Sequence, residues 1–215
     1  MGFLSALSMG PEAHDEMLSL QPAYPHPSID IVALMLKLLQ RSHSLALDVY
    51  IVTTMANLAA EEKNRPRIIE QMGKLGGYEH FLRLYTDSVS AEARAEAVQV
   101  LLPLCNSTVK EQEAQCSGVR ATLVRAGAVE AALQRLSSAC KDCNHTSAAK
   151  YGDRLLHKSA ALLQCLFQDQ HAKTQAIHLG AVGVLTALIA QNIGENLAHS
   201  RWTEAMGLEI SLTTK

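Results

Sequence analysis

The residues best suited to chemistry in this chain are its thiols and imidazoles. Cys140-Lys141-Asp142-Cys143-Asn144-His145 sets two cysteines at zinc-ligand spacing with a histidine beside them. A closed structural zinc site takes four ligands, and no second Cys/His pair follows at a suitable distance, so an inserted polar loop with free thiols is expected rather than a metal centre. His171 and His178 share one face of a short helix, and His157 could approach from the helix before it. No carboxylate recurs beside the three, so neither metal binding nor acid–base catalysis is expected of them. Cys165 stands among Leu162, Leu163, Leu166 and Phe167 and reads as a small buried hydrophobe, not a nucleophile. Glycine-rich phosphate loops, GxSxG and HExxH are absent from the sequence. The chain is therefore expected to be no enzyme and to carry no cofactor.

The elements that would position any site are helical. The 215 residues are 48% hydrophobic but only 4% aromatic, so the core must be built from Leu, Ala, Val and Ile, which suits close helix-on-helix packing. Net charge is −2 with no Lys/Arg block, which argues against nucleic acid as a partner, since neutralising phosphates needs clustered cations. No stretch approaches the length of a membrane span. The first basic residue is Lys37, so neither a secretory signal nor a transit peptide is expected. The five cysteines are odd in number and irregular in spacing, the pattern of reduced thiols inside a cell. The cytoplasm is the expected compartment, with an organelle as the alternative.

Taken in order, residues 1–27 read as a tail interrupted by Pro11, Pro22, Pro25 and Pro27. It is expected to lie over the first helices, with docking of Phe3, Leu4 and Leu7 on a partner as the alternative. Ser28 is expected to cap a helix over 29–40, followed by helices over 45–60 and 68–72, the last stopping at Gly73. Further helices are expected over 78–85, 91–105 capped by Ser90, 111–126 interrupted near Gly118, and 128–137. A polar loop over 140–150 precedes helices over 152–167, 170–179, 181–190 and 196–206. Pro103 lies inside one of these helices and should bend it.

Three glycine breaks recur: Gly76-Gly77-Tyr78, Gly127-Ala128-Val129 and Gly180-Ala181-Val182. Each follows a short apolar helix and precedes a helix of about ten residues and then a longer one. Glycine suits such a junction because it tolerates positive φ in a sharp reversal between crossed helices. One such unit cannot bury its own apolar face, so units must stack.

The stretches IHLGAVGVLTALI and LVRAGAVEAALQRL resemble the armadillo repeat, MANLA at 55–59 resembles the end of that family's third helix, and IIEQMGKLGGYEHFLRLY is a looser copy. The HEAT repeat is the near alternative. The resemblance implies an all-α fold, a right-handed α-solenoid of about three full units and one partial unit. The expected division is a tail at 1–27, a repeat domain at 28–207 with units 29–62 (partial), 63–107, 108–169 and 170–207, and a second tail at 208–215.

In the family that this chain resembles, third helices line a concave groove where an Asn grips the backbone of an extended peptide and a Trp packs one turn before it. Asn57 matches that Asn, and Thr53 stands at the Trp position. The next units place Pro103 and Gln99, then Cys165 and Ala161, at the same positions. A regular Trp/Asn ladder is therefore not present. One turn further back the same register gives Tyr50, Glu96 and Lys158. The expected partner-facing row is Tyr50, Thr53, Asn57, Glu96, Gln99, Arg154 and Lys158. The resemblance thus implies a non-enzymatic adaptor that binds a protein partner, an extended peptide or a large complex. The alternatives are an accessory subunit built into a large assembly and, by fold analogy, a regulator of nucleotide exchange on an Hsp70-type chaperone.

Overall fold

A computed structural model describes residues 9–19, 30–106, 112–141 and 149–194, and within them every regular element is helical. The order is α1 (Pro11–Ser19), α2 (Ile31–Arg41), α3 (Leu45–Ala60), a 3-10 turn (Glu62–Asn64), α4 (Arg65–Leu75), α5 (Gly77–Asp87) and α6 (Ala91–Cys105). Then follow α7 (Glu113–Arg125), α8 (Ala128–Lys141), α9 (Ala149–Leu166), α10 (Gln170–His178) and α11 (Ala181–Gly194). Two triplets, α4–α5–α6 and α7–α8–α9, repeat one plan; α2–α3 precede them and α10–α11 follow.

Local chemistry explains most of the boundaries. Asp30 caps α2, its carboxylate accepting from the Val32 and Ala33 N–H groups at 2.9 and 3.2 Å. Ser28, expected in that role, lies outside the described residues. Ser90 caps α6 through the Ala93 N–H at 3.1 Å, and Asp169 caps α10 through the His171 N–H at 2.7 Å. Each such cap satisfies an orphan donor and is worth about 1 kcal/mol. The three junction glycines hold φ of 64° at Gly76, 90° at Gly127 and 79° at Gly180, the left-handed region that a Cβ would strain.

Two expected breaks do not occur. α4 continues through Gly73 to Leu75, and α7 runs unbroken through Gly118. A glycine inside a helix costs about 1 kcal/mol against alanine. Burial of Ile68 and Met72 on α4, and of Cys116, Val119 and Leu123 on α7, outweighs it. The tail also holds more structure than its prolines suggest, because Pro11 occupies the first position of α1, where a missing N–H costs nothing. His14 and Met17 of α1 are buried, and α1 packs on α2. Arg67 of α4 holds it there, donating to the Leu18 carbonyl at 2.7 Å while pairing with Asp30 at 3.1 Å.

One continuous, mainly aliphatic core runs from α2 to α11, with Tyr85 and Phe81 as its largest fully buried members. The third helices α3, α6 and α9 pack side by side, and α11 packs on α8. Arginines join the units by closing helix C-termini, whose last carbonyls lack intrahelical partners. Arg65 donates to the carbonyls of Ala59 at 3.0 Å, Ala60 at 3.1 Å and Asn106 at 3.2 Å, joining the ends of α3 and α6. Arg120, buried and paired with Glu113, donates to the Cys105 carbonyl at 2.8 Å. Arg135 of α8 closes the end of α5 at Tyr85 and Thr86. No single helix among the described residues is long and apolar enough to cross a membrane; the pair Gln170–His178 and Ala181–Ala190 passes by length and composition only when joined across a 76° bend.

Candidate functional site

The three packed third helices carry the candidate surface. The register of Asn57, Pro103 and Cys165, stepped back along each helix, puts Thr53, Gln99 and Ala161 at one level, then Tyr50, Glu96 and Lys158, then Ala46, Glu92 and Arg154. Burial follows that register. Ala46, Glu92 and Arg154 are all exposed, and the two rows through Gln99 and Pro103 are half-buried on all three helices. By contrast, Met55, Leu101 and Leu163, or Leu58, Leu104 and Leu166, are fully buried in equivalent places. A strip of accessible side chains therefore crosses α3, α6 and α9 beside the fully buried rows of Met55 and Leu58.

The Tyr50 row differs along its length. Tyr50 is 44% exposed, whereas Glu96 and Lys158 are 7% and 8% exposed. The structure brings Glu96, Arg154 and Lys158 together: the Glu96 carboxylate pairs with Arg154 at 3.0 Å and Lys158 at 3.4 Å. The Lys158 ammonium also donates to the Ala95 carbonyl at 3.0 Å. Burial holds the Lys158 pKa below its ordinary value, with Glu96 opposing that shift. Arg154 is the accessible member, its side chain 53% exposed. Thr53, Asn57 and Gln99 add uncharged donors and acceptors on α3 and α6. Glu92 escaped the sequence reading although it stands in register with Arg154; stepping the same register back one more turn would have found it.

The thiols behave as packing groups. Cys105 and Cys116 are buried and Cys165 is half-buried, and burial raises all three pKa values. Such thiols are poor nucleophiles, because the thiolate is the reactive form. Cys143 and His145 lie outside the described residues; within those residues no group of three or more His, Cys, Asp or Glu is placed to hold a metal.

These shifts predict alkaline lability. A thiol whose folded pKa is raised keeps its proton while the unfolded chain ionises near 9.0, so stability is complete below that pH and lost above it. Tyr85, which burial pushes up to about 12 from 10.0, adds to the loss at higher pH. Lys158 acts in the opposite sense, since its lowered value gains stability as pH rises toward 10.5, but it is one group against three thiols. The unfolding free energy should therefore fall between pH 8 and 10, and Cys105→Ala should remove about 1.4 kcal/mol of that fall over the two pH units.

Neither a scan of family models nor a search of curated proteins finds a match to the sequence. Among solved structures, a designed armadillo repeat protein in complex with the peptide (KR)4 is similar, with a TM-score of 0.62 over 95% of this chain and 70% of that chain. The fold is an armadillo-like solenoid. Sequence identity to the designed protein is 16%, so the likeness is one of fold alone. In armadillo terms α4, α7 and α10 are first helices, α2, α5, α8 and α11 are second helices, and α3, α6 and α9 are third helices. The described part of 170–207 thus holds a first and a second helix; the expected helix over 196–206 and Trp202 lie outside the described residues, as do Phe3, Leu4 and Leu7.

Proposed function

We propose that the chain is a non-catalytic adaptor that holds a segment of a partner protein along the strip crossing α3, α6 and α9. The observation that supports this reading is the repeat of accessibility on three successive third helices: the rows of Ala46, Thr53 and Asn57 are exposed or half-buried on each, while the rows of Met55 and Leu58 are buried. Solenoids of this kind use extended surfaces for binding. The side chains along the strip suit an extended peptide of mixed character. Asn57 and Gln99 offer amides for a peptide backbone, and Tyr50 offers an aromatic face. Glu92 and Glu96 are balanced by Arg154 and Lys158, so no strong field selects a uniformly charged ligand.

Capture from native extract tests the reading. A partner retained by the wild-type chain should be reduced at least tenfold by Asn57→Ala with Gln99→Ala, the loss of about 1.4 kcal/mol or more. The thermal midpoint of the double variant serves as the folding control. A partner that co-purifies in fixed stoichiometry and is indifferent to both substitutions would overturn the groove reading and make the chain an accessory subunit held elsewhere.

A further inference from the structure

Two arginines meet at the end of α5 without a counterion. Arg135 of α8 donates to the Tyr85 carbonyl at 3.4 Å and to the Thr86 carbonyl. Arg94, in the first turn of α6, donates from Nη1 to the Ser88 carbonyl at 3.0 Å. The acceptors span only Tyr85 to Ser88, so both guanidiniums stand at one corner of the chain. Both side chains are half-buried there. Burial lowers the Arg94 pKa, and the charge of Arg135 lowers it further. Arg94 Nε is buried and has no acceptor.

Other arginines that hold backbone carbonyls come with a carboxylate. Arg65 has Glu62, Arg67 has Asp30 and Arg120 has Glu113. Arg94 and Arg135 form no ion pair among the described residues, although Asp87 and Glu92 are close in sequence. Both of those acids are exposed instead. The negative pole at the end of α5 offsets only about half a charge, which leaves roughly one and a half positive charges in this corner. Each guanidinium also keeps N–H groups beyond the carbonyl bonds that it makes. Two planar forks on different helices suit one tetrahedral oxoanion. A carboxylate would neutralise one of the two charges, whereas a phosphate monoester carries nearly two at pH 7 and offers three acceptor oxygens.

We propose that Arg94 and Arg135 form a phosphate-monoester site at the corner between α5 and α6, taking the phosphoryl group of a phosphorylated side chain or of a small phosphate ester. The site is apart from the strip on the third helices, because Arg94 follows Glu92 by two residues and so stands about 200° from it around α6. It does not depend on what that strip binds.

Titration calorimetry of the full chain at pH 7.5 and fixed ionic strength tests the site. Inorganic phosphate should bind saturably and at least about tenfold more tightly than acetate. A short neutral peptide carrying one phosphoserine should bind, and its unphosphorylated form should not. If the peptide binds more tightly than phosphate, the site serves a protein-borne group; if it does not, the site serves a free ester. Lowering the pH to 5.5 should weaken the phosphopeptide, because phosphoserine gains a proton near pH ~6 and drops to one negative charge. Arg94→Gln, which keeps an amide for the Ser88 carbonyl, should weaken phosphate at least about tenfold. Arg135→Lys, which keeps the charge but not the fork, should weaken it about threefold. Arg125→Gln removes the same charge from the exposed surface of α7 and should change binding less than about twofold. Thermal midpoints show that the variants fold, and Arg135→Lys carries the test if Arg94→Gln does not. Phosphate that binds no more tightly than acetate overturns the proposal. So does phosphate binding that neither substitution weakens, or that Arg125→Gln weakens as much as they do.

Discussion

Glu96→Ala is expected to lower folding stability by about 3 kcal/mol near neutral pH, the cost of leaving a buried partner charge without its counterion. Lys158 is that partner. In the native chain it is 8% exposed and has the Glu96 carboxylate and the Ala95 carbonyl around its ammonium. Removing the carboxylate leaves one neutral acceptor for a charged group that burial already disfavours. Arg154 loses little, because its guanidinium reaches water. The cost is bounded by an escape: Lys158 can release its proton and stay buried as an amine. Its folded pKa, already lowered, falls further in the variant, so the variant regains stability as pH rises toward 10.5. Urea unfolding at pH 6.5 and 9 should show the gap to wild type narrowing. Glu96→Met combined with Lys158→Met should cost much less than Glu96→Ala, since the pair is then removed together. A gap that is the same at both pH values would mean that Lys158 does not carry the effect.

Tyr85→Ala should cost about 3–5 kcal/mol, the range for emptying a buried aromatic site. Its ring is fully buried in the core, and its hydroxyl donates to Ser159 Oγ on α9 at 2.7 Å. Ser159 in turn donates to the Leu155 carbonyl at 2.7 Å. The residue therefore joins the second helix of one unit to the third helix of the next by both packing and a hydrogen-bond chain. The two contributions separate experimentally. Tyr85→Phe keeps the ring and should lose about 1 kcal/mol, the net worth of one hydrogen bond. Ser159→Ala should cost more than that, because it strands a buried hydroxyl in a closed site. The double replacement should recover part of the Ser159→Ala loss. Additive single effects in denaturant unfolding would show that the two hydroxyls do not act as a pair.

The unit plan was legible because glycine has few substitutes at a positive φ. Gly76, Gly127 and Gly180 announce three junctions, and the helices on either side follow from their apolar period. Gly73 and Gly118 misled for the same residue type, since nothing local distinguishes a glycine at a junction from one within a helix held by packing. α1 was hidden by its proline, which starts a helix as readily as it breaks one. The register of the surface strip was legible too, but not which of its members would be covered. A sequence places Tyr50, Glu96 and Lys158 at one level; only the packed helices reveal that the last two neutralise one another and sink from view.

The arginine closures have a further effect. Arg65 spans the ends of α3 and α6 with one rigid planar group, and Arg120 anchors the end of α6 to the helix that follows it. Neighbouring units are thereby tied at their helix ends by directional hydrogen bonds as well as by close-packed aliphatic contacts. The adaptor that we propose would then present its amide, carboxylate and aromatic groups to a guest chain at the spacing that these ties help to set.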